Sequence, residues 1–122
     1  MDKKRVLFLD DRSKRIHSAF DKYSGLCDLT IVATVAECLR FLSSQDFNVV
    51  YLDHDLGGEE FVDSSSQKCG MEVVRYIENC WPPEKEKPLF IIHSSNIFAA
   101  ITMEDRLKRN GFPVRRERWE YE

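Results

Sequence analysis

Residues 5–11 read RVLFLDD and give the clearest indication of the fold. The apolar run at residues 6–9 is too short for a helix, and its lack of alternation is typical of a strand that is covered on both faces. Two aspartates follow the run directly, so the strand ends in a polar turn. Strands of this kind occur in parallel sheets that have helices on both sides.

Four further apolar runs predict strands at residues 29–34, 47–52, 88–92 and 112–119. The last run contains Pro113 and three arginines, which suits an edge strand that is protected against pairing with other chains. Helical patterns separate the runs, so the element order is βαβαβαβαβ. This order predicts an α/β fold, a three-layer sandwich around a five-stranded parallel sheet.

The helices between these strands have recognisable ends. In the first helix apolar residues recur at spacings of three and four, Ser13 is predicted to cap its start, and Gly25 is predicted to end it. The apolar stripe of this helix consists of Ile16, Ala19, Phe20 and Tyr23. The later helices are predicted at residues 35–44 after Thr34, 71–80 after Gly70 and 96–110 before Gly111.

Composition limits the functions that the chain can have. Its 122 residues, 43% of them hydrophobic, support one domain over residues 1–122. The net charge of −3 excludes a global basic field, so we expect no nucleic-acid ligand other than a nucleotide. No apolar run approaches the roughly 20 residues of a membrane helix, so we expect no membrane partner. The N-terminus has no signal-type apolar region and the four cysteines form no C-x-x-C pair, so we expect a cytoplasmic protein with reduced thiols.

Polar residues follow three of the predicted strands. Asp10 and Asp11 follow the first, Asp53 follows the third, and HSSN at residues 93–96 follows the fourth. In parallel α/β sheets, ligands bind outside the carboxyl ends of the strands. Carboxylates that converge there suit Mg²⁺, and neighbouring histidines would also admit Mn²⁺ or Zn²⁺. The sequence therefore predicts a metal site at Asp10, Asp11 and Asp53 that handles phosphate.

The element order, the acidic pair and the aspartate after the third strand resemble the receiver domain of two-component response regulators. The resemblance implies a flavodoxin-like fold in which Asp10, Asp11 and Asp53 hold Mg²⁺ and Asp53 accepts a phosphoryl group. Two switch positions depart from that pattern. His93 stands where receivers have Thr or Ser, and RRER at residues 115–118 contains no Lys.

Two further departures concern length. Asp53 and Gly70 are 17 positions apart, a longer spacing than in receivers, so residues 58–69 are predicted to be an inserted loop. This loop is either a mobile polar segment or a lid or partner contact. The final receiver helix is expected to be missing, because the chain stops soon after Trp119. Apolar surface near Trp119 would then be exposed, which predicts a homodimer.

Three motifs are similar to those of a narrower group, the cyclic-phosphate-processing receiver domains. They are LDD at residues 9–11, LDHDLG at 52–57 and HSSN at 93–96. The similarity implies a small phosphorylated or cyclic-phosphate ligand and hydrolysis of a cyclic phosphoester.

The chemistry of that reaction can be assigned to particular residues. It requires an activated water, an acid for the leaving alkoxide and positive charge near the phosphoryl oxygens. His54 and His93 are the candidates for proton transfer beside Asp53 and its metal. A metal-bound water with one histidine as acid is the alternative. The strand pleat would point His54 to the face opposite Asp53, which argues against paired histidines.

Ser94, Asn96 and Arg12 are the predicted phosphate contacts. Ser94 and Asn96 also suit the start of a helix, where capping and phosphate binding are compatible. Arg12 is equally well explained as a solvated residue at a helix entry, and Asp11 taken alone is typical of a turn.

Two other functions stay open. A signalling receiver would keep the phosphoryl group on Asp53, and an interaction module would keep the fold without the chemistry. His93 and the missing Lys argue against the first, and the retained carboxylates argue against the second.

Overall fold

The computed structural model describes residues 3–23, 25–56 and 63–117. Strands and helices alternate along this part of the chain, which confirms the predicted α/β order. The strands are β1 (Arg5–Leu9), β2 (Asp28–Val32), β3 (Val49–Leu52), β4 (Leu89–Ile92) and β5 (Val114–Arg116). The helices are α1 (Ser13–Tyr23), α2 (Val35–Ser44), α3 (Met71–Cys80) and α4 (Ile97–Arg109).

All five strands are parallel, in the order β2-β1-β3-β4-β5. Leu9 pairs with Leu52, and Leu52 pairs with Ile92, so β1, β3 and β4 end at the same level. From β1 the chain passes to β2 on one side of β1, and it then crosses to β3 on the opposite side of β1. The carboxyl ends of β1 and β3 therefore flank the switch point at which α/β sheets bind ligands.

Helices cover both faces of the sheet, which confirms the three-layer sandwich. On one face, α2, α3 and α4 pack against a large core that includes Leu7, Val50 and Phe90. On the other face, Ala19 of α1 packs against a smaller core around Phe8. In the part of the chain that is described, no helix is both long and apolar enough to cross a membrane.

The predicted bounds of four strands differ from the observed ones. The fourth strand begins one residue later than predicted, and among the described residues β5 covers only Val114–Arg116 of the predicted residues 112–119. β2 ends at Val32 because Thr34 leaves the sheet to cap α2, where its hydroxyl accepts a hydrogen bond from the Glu37 N–H at 3.2 Å. β3 begins at Val49, two residues later than predicted. The side chain of Asn48 accepts the Arg5 N–H at 2.8 Å, and the Asn48 N–H donates to the carbonyl of Arg5 at 2.8 Å.

Helix α1 also differs from its prediction. It begins at Ser13 itself, which was placed as its cap. Phe20 was assigned to the buried stripe but is 57% exposed, whereas Arg15 and Ala19 are buried. The rotation follows from electrostatics, because Arg15 contacts two buried carboxylates beneath the helix. Gly25 follows in the left-handed region, with φ 79°, as expected for a helix end.

Several predictions concern residues outside the described ranges. They are the last residue of the LDHDLG motif, Gly57, the first half of the predicted inserted loop, and the part of the fifth strand that contains Trp119. The missing final helix belongs to the same set. The single-domain extent over residues 1–122 stays a prediction.

Gly70 packs tightly against the backbone that carries Asp53. A Cβ atom on Gly70 would lie 2.0 Å from the carbonyl oxygen of Asp53 and 2.9 Å from its carbonyl carbon. The Gly70 N–H donates to the carbonyl of His54 at 2.9 Å, which ties the start of α3 to the end of β3. The close approach that glycine allows here therefore fixes the position of the Asp53 backbone at the end of β3.

Gly70→Ala is expected to destabilise the fold by about 1–3 kcal/mol, because the added methyl group must displace close-packed backbone. Urea unfolding measures this loss. Gly25→Ala is the comparison: it has open space but a positive φ, so it loses about 1–2 kcal/mol through backbone strain. Only Gly70→Ala should also weaken stabilisation by Mg²⁺. Equal Mg²⁺ responses in the two variants would contradict the coupling of Gly70 to Asp53.

Candidate metal and phosphate site

Asp10 and Asp53 lie side by side at the ends of β1 and β3, and they are 0% and 1% exposed. The strand register explains this placement, because each aspartate follows one member of the aligned pair Leu9 and Leu52. Two buried carboxylates have lost hydration and repel each other, so the fold requires positive charge next to them.

Arg15 supplies that positive charge. Its Nη1 lies 3.2 Å from Oδ2 of Asp10 and 3.2 Å from Oδ2 of Asp53, and its side chain is only 2% exposed. Arg15 is one turn before Ala19 on the buried face of α1, so the helix delivers the guanidinium directly between the two carboxylates.

His93, at the end of β4, contacts the same cluster. Its Nε2 lies 2.9 Å from Oδ2 of Asp10. The imidazole stacks on Phe8, with ring centroids 4.9 Å apart and an interplanar angle of 13°, and Tyr51 borders it at 5.8 Å. These rings and the carboxylate fix the orientation of His93, which is 1% exposed.

The two buried carboxylates differ in acidity. Burial raises the pKa of Asp53 to about 6, and the charge of Asp10 adds to the rise against the opposing effects of His93, Arg15 and Ser94. Burial also acts to raise the pKa of Asp10, but hydrogen bonding and charge from His93, with the Arg12 N–H, hold it below its usual value. The negative charge of Asp53 is therefore incompletely balanced by its neighbours.

Asp11 completes a cluster of three possible metal ligands. One carboxylate oxygen from each of Asp10, Asp11 and Asp53 lies within 4.8 Å of the others. The Arg12 N–H donates to Oδ1 of Asp10 at 2.9 Å, which shapes the turn that brings Asp11 to this edge. Three hard oxygen donors and the excess negative charge at Asp53 fit a divalent ion such as Mg²⁺ or Mn²⁺.

His54 makes a different set of contacts. Its Nδ1 lies 2.6 Å from Oδ1 of Asp55 and its Nε2 lies 3.0 Å from Oγ of Ser64. Asp53 meets Arg15 on the side of α1, so consecutive side chains point in opposite directions, as the pleat predicts. Burial acts to lower the pKa of His54, but hydrogen bonds to Cys69 and Asp55 outweigh it and raise the pKa above its usual value.

The described part of the predicted inserted loop is held against α3. Arg75 donates to the carbonyls of Ser64 and Ser66 at 2.5 and 2.7 Å. Cys69 is buried, and its thiol donates to the carbonyl of Ser66 at 3.2 Å. These contacts set the position of Ser64 beside His54.

Ser94 and Asn96 form the start of α4 next to Asp53. Oδ1 of Asn96 accepts from the Ala99 N–H at 3.2 Å, and Oγ of Ser94 accepts from the Asn96 N–H at 3.1 Å. Ser94 also hydrogen-bonds to Asp53, which lowers the pKa of that carboxyl. The predicted capping role is confirmed for Asn96, and the positive end of the α4 dipole begins beside the acidic cluster.

A cavity of about 520 Å³ opens between β4, β5 and the start of α4. Apolar side chains and polar ones share its wall, and Ser94 belongs both to the cavity and to the surroundings of Asp53. The lining residues are Ile92, Ser94, Ser95, Ile97, Ala100, Arg116 and Glu117. The cavity is therefore next to the acidic cluster.

The sequence matches the family described as the cyclic-phosphate processing receiver domain over residues 5–109. The chain belongs to this family. A comparison with curated proteins found no match.

Solved receiver domains share the fold of this one. A signal receiver domain from Vibrio parahaemolyticus is 18% identical with a TM-score of 0.64, covering 97% of this chain and 79% of that one. The BeF3-activated receiver domain of Nitrogen Regulatory Protein C is 18% identical with a TM-score of 0.66, covering 96% and 84%. The response regulator DrrB from Thermotoga maritima is 17% identical with a TM-score of 0.59, and this chain covers 46% of its length.

Two residues of the site were missed by sequence reasoning. Arg15 was not considered, although its position four residues before Ala19 places it on the buried face of α1. Asp55 was noted only as part of a motif, but it orients His54 and lies 3.4 Å from Nδ2 of Asn96. The acidic residue next to His54 in the sequence was the available signal for that contact.

Asp53→Asn is expected to stabilise the metal-free protein above pH 6. The pKa of Asp53 is about 6 in the folded protein against an ordinary value of 3.8, so ionisation penalises folding above pH 6 and the penalty disappears as the pH falls towards 4. Removing the charge should gain about 1–3 kcal/mol at pH 8. Denaturant unfolding in EDTA at pH 8 and pH 4.5 measures this, with Asp46→Asn on the surface as control. A gain that does not shrink at pH 4.5 would contradict the assignment.

Proposed function

We propose that this receiver domain hydrolyses a small cyclic phosphoester with Mg²⁺ or Mn²⁺ held by Asp10, Asp11 and Asp53. The observation that carries the proposal is His93, a buried imidazole hydrogen-bonded to Asp10 at the position where receivers have Thr or Ser. The family description, cyclic-phosphate processing, supports the same activity.

The start of α4 is the proposed phosphate-binding element. Its first N–H groups and the side chains of Ser94 and Asn96 bind the phosphoryl oxygens, and Arg12 adds a further contact from the acidic turn. Asp10, Asp11 and Asp53 would hold a divalent ion, which would supply positive charge next to those oxygens. This arrangement puts the scissile bond beside Asp53.

His93 and His54 are the proposed proton-transfer groups. Asp10 contacts Nε2 of His93 and orients the ring, so His93 is the first candidate for the acid that protonates the leaving alkoxide, with Nδ1 as the proton-bearing atom. His54 is oriented through Nδ1 by Asp55 and directs Nε2 towards Ser64, so it acts from the opposite face of β3. Their different surroundings favour separate tasks over a paired mechanism.

The cavity beside Ser94 is the proposed binding place for the rest of the ligand. Ile92, Ile97 and Ala100 offer an apolar wall, and Arg116 and Glu117 offer polar groups at its rim. A volume of about 520 Å³ is within the usual range of small-molecule sites. A phosphate ester with an organic part as large as a nucleoside would place its phosphate at the start of α4 and its organic part in the cavity.

The second candidate function is a stand-alone signalling receiver in which Asp53 keeps a phosphoryl group. One similar structure is described as a BeF3-activated receiver domain, and Asp53 follows β3 as the phosphoryl acceptor of receivers does. A phosphorylation-independent interaction module is less favoured, because three clustered carboxylates destabilise a fold that has no use for them. A cytoplasmic location stays part of the proposal.

Purified protein is expected to hydrolyse 2′,3′-cyclic nucleotides or related cyclic phosphates in the presence of Mg²⁺ or Mn²⁺. His93→Ala should abolish turnover and leave metal binding largely intact, and Asp53→Asn should impair both. His54→Ala distinguishes the mechanisms, since a deep loss supports two histidines and a small loss leaves His93 sufficient. His17→Ala, at an exposed position on α1, is the control that should retain full activity.

Two measurements can contradict this prediction. If Mg²⁺ and Mn²⁺ leave the melting temperature of the wild type unchanged, the metal site is wrong. Incubation with acetyl phosphate followed by intact mass measurement tests the signalling function. A stable added phosphoryl group that is lost in Asp53→Asn would replace the hydrolase with the signalling receiver.

We also propose a homodimer. The surface first expected near Trp119 lies outside the described residues, but α4 exposes Ile97, Phe98 and Ile101, which are 56%, 87% and 45% exposed. Sedimentation velocity should show a dimer that Phe98→Asp disrupts. Phe20→Asp, on α1, should leave it intact, and a wild-type monomer at high concentration would contradict the proposal.

A further inference from the structure

The RRER segment at residues 115–118 contains no lysine to match the strand-five lysine of receivers. Within this segment, the Glu117 N–H donates to the carbonyl of Ile92 at 2.9 Å, which extends the pairing of Ile92 with Arg116 by one residue and brings Glu117 level with His93. The cations of β5 have other partners, since Arg115 contacts Glu117 at 2.9 Å and Arg116 contacts Glu104 at 3.0 Å. The end of β5 therefore brings an acidic residue to this edge.

The positive charge next to Asp53 comes from α1 instead. Nη1 of Arg15 is equidistant from Asp10 and Asp53, at 3.2 Å from one Oδ2 atom of each, and the side chain is 2% exposed. A guanidinium is always charged, and Arg15 lies on the buried face of α1, so its charge is present whether or not a metal is bound.

A divalent ion and Arg15 need some of the same oxygen atoms. Mg²⁺ binds carboxylate oxygens at about 2.0–2.1 Å and requires nearly octahedral geometry. Nη1 of Arg15 already occupies the space between the two Oδ2 atoms, and its charge repels a second cation. Metal binding must therefore move Arg15 or use the other oxygens against its repulsion.

We propose that Arg15 is the built-in counter-charge of Asp53, takes over the role of the missing strand-five lysine, and limits the affinity of the acidic site for divalent metal. The inference rests on the metal site of the proposed function and adds the residue that sets its strength. Arg15 is a positioning residue. It holds Asp10 and Asp53 together without metal, and it lowers the affinity of the acidic site for the ion.

Isothermal titration of the full chain with MgCl₂ or MnCl₂ tests this inference. Arg15→Gln should bind the ion about tenfold more tightly than the wild type, because a neighbouring unit charge is removed. Arg15→Lys keeps the charge and should stay near the wild-type affinity. Lys14→Gln removes a charge of the same sign from the adjacent, exposed position and should have no effect, because solvent screens it.

Thermal unfolding gives a second readout. Without metal, Arg15→Gln leaves Asp10 and Asp53 to repel each other, so its melting temperature should fall well below that of the wild type, and Mg²⁺ should raise it by a larger increment. If Arg15→Gln folds but binds metal no more tightly than the wild type, the inference is overturned. Failure to fold even at saturating Mg²⁺ would overturn it too, because the ion then cannot replace the guanidinium.

The same data separate this inference from the proposed function. If the wild type and Asp53→Asn respond equally to Mg²⁺, the metal site itself is wrong. If the wild type binds Mg²⁺ through Asp53 but Arg15→Gln gains no affinity, only the role of Arg15 is wrong.

Discussion

The parallel register of β1 and β3 forces Asp10 and Asp53 together inside the protein, and much of the site is organised around the charge that results. Buried carboxylates are tolerated only where cations and hydrogen-bond donors surround them. Arg15 lies between the two, and His93 hydrogen-bonds to Asp10. The same requirement rotates α1, so that an arginine faces the sheet and Phe20 faces solvent.

The end of β3 divides the site into two halves that meet at one backbone segment. Asp53 points towards α1 and the buried cations, and His54 points to the opposite face, where Asp55 and Ser64 contact it. Gly70 lets α3 approach this segment closely enough to fix its position. Only one or two backbone residues therefore separate Asp53 on one face from His54 on the other, so a displacement of one side chain can shift the other.

The site keeps the carboxylates of receivers but changes what surrounds them. A signalling receiver uses a small hydroxyl at the end of strand four and a lysine at the end of strand five. Here His93 is held between Phe8 and Asp10, and Glu117, the residue after β5, is level with it. An imidazole in this position suits proton transfer better than a movement that reports phosphorylation. The fold is shared at 17–18% identity because it depends on apolar pattern and register, which these substitutions do not disturb.

The sequence by itself determined the α/β fold, the element order and the family, because buried parallel strands and amphipathic helices are periodic patterns written into local sequence. It also indicated that Asp10, Asp11 and Asp53 converge, since strand ends in a parallel sheet share one edge. Only the tertiary structure decided that Arg15 faces inward and that His54 and His93 have different partners. Those outcomes depend on helix rotation and strand pleat, which are set by contacts between residues far apart in the chain: Arg15 with Asp53, and His93 with Asp10.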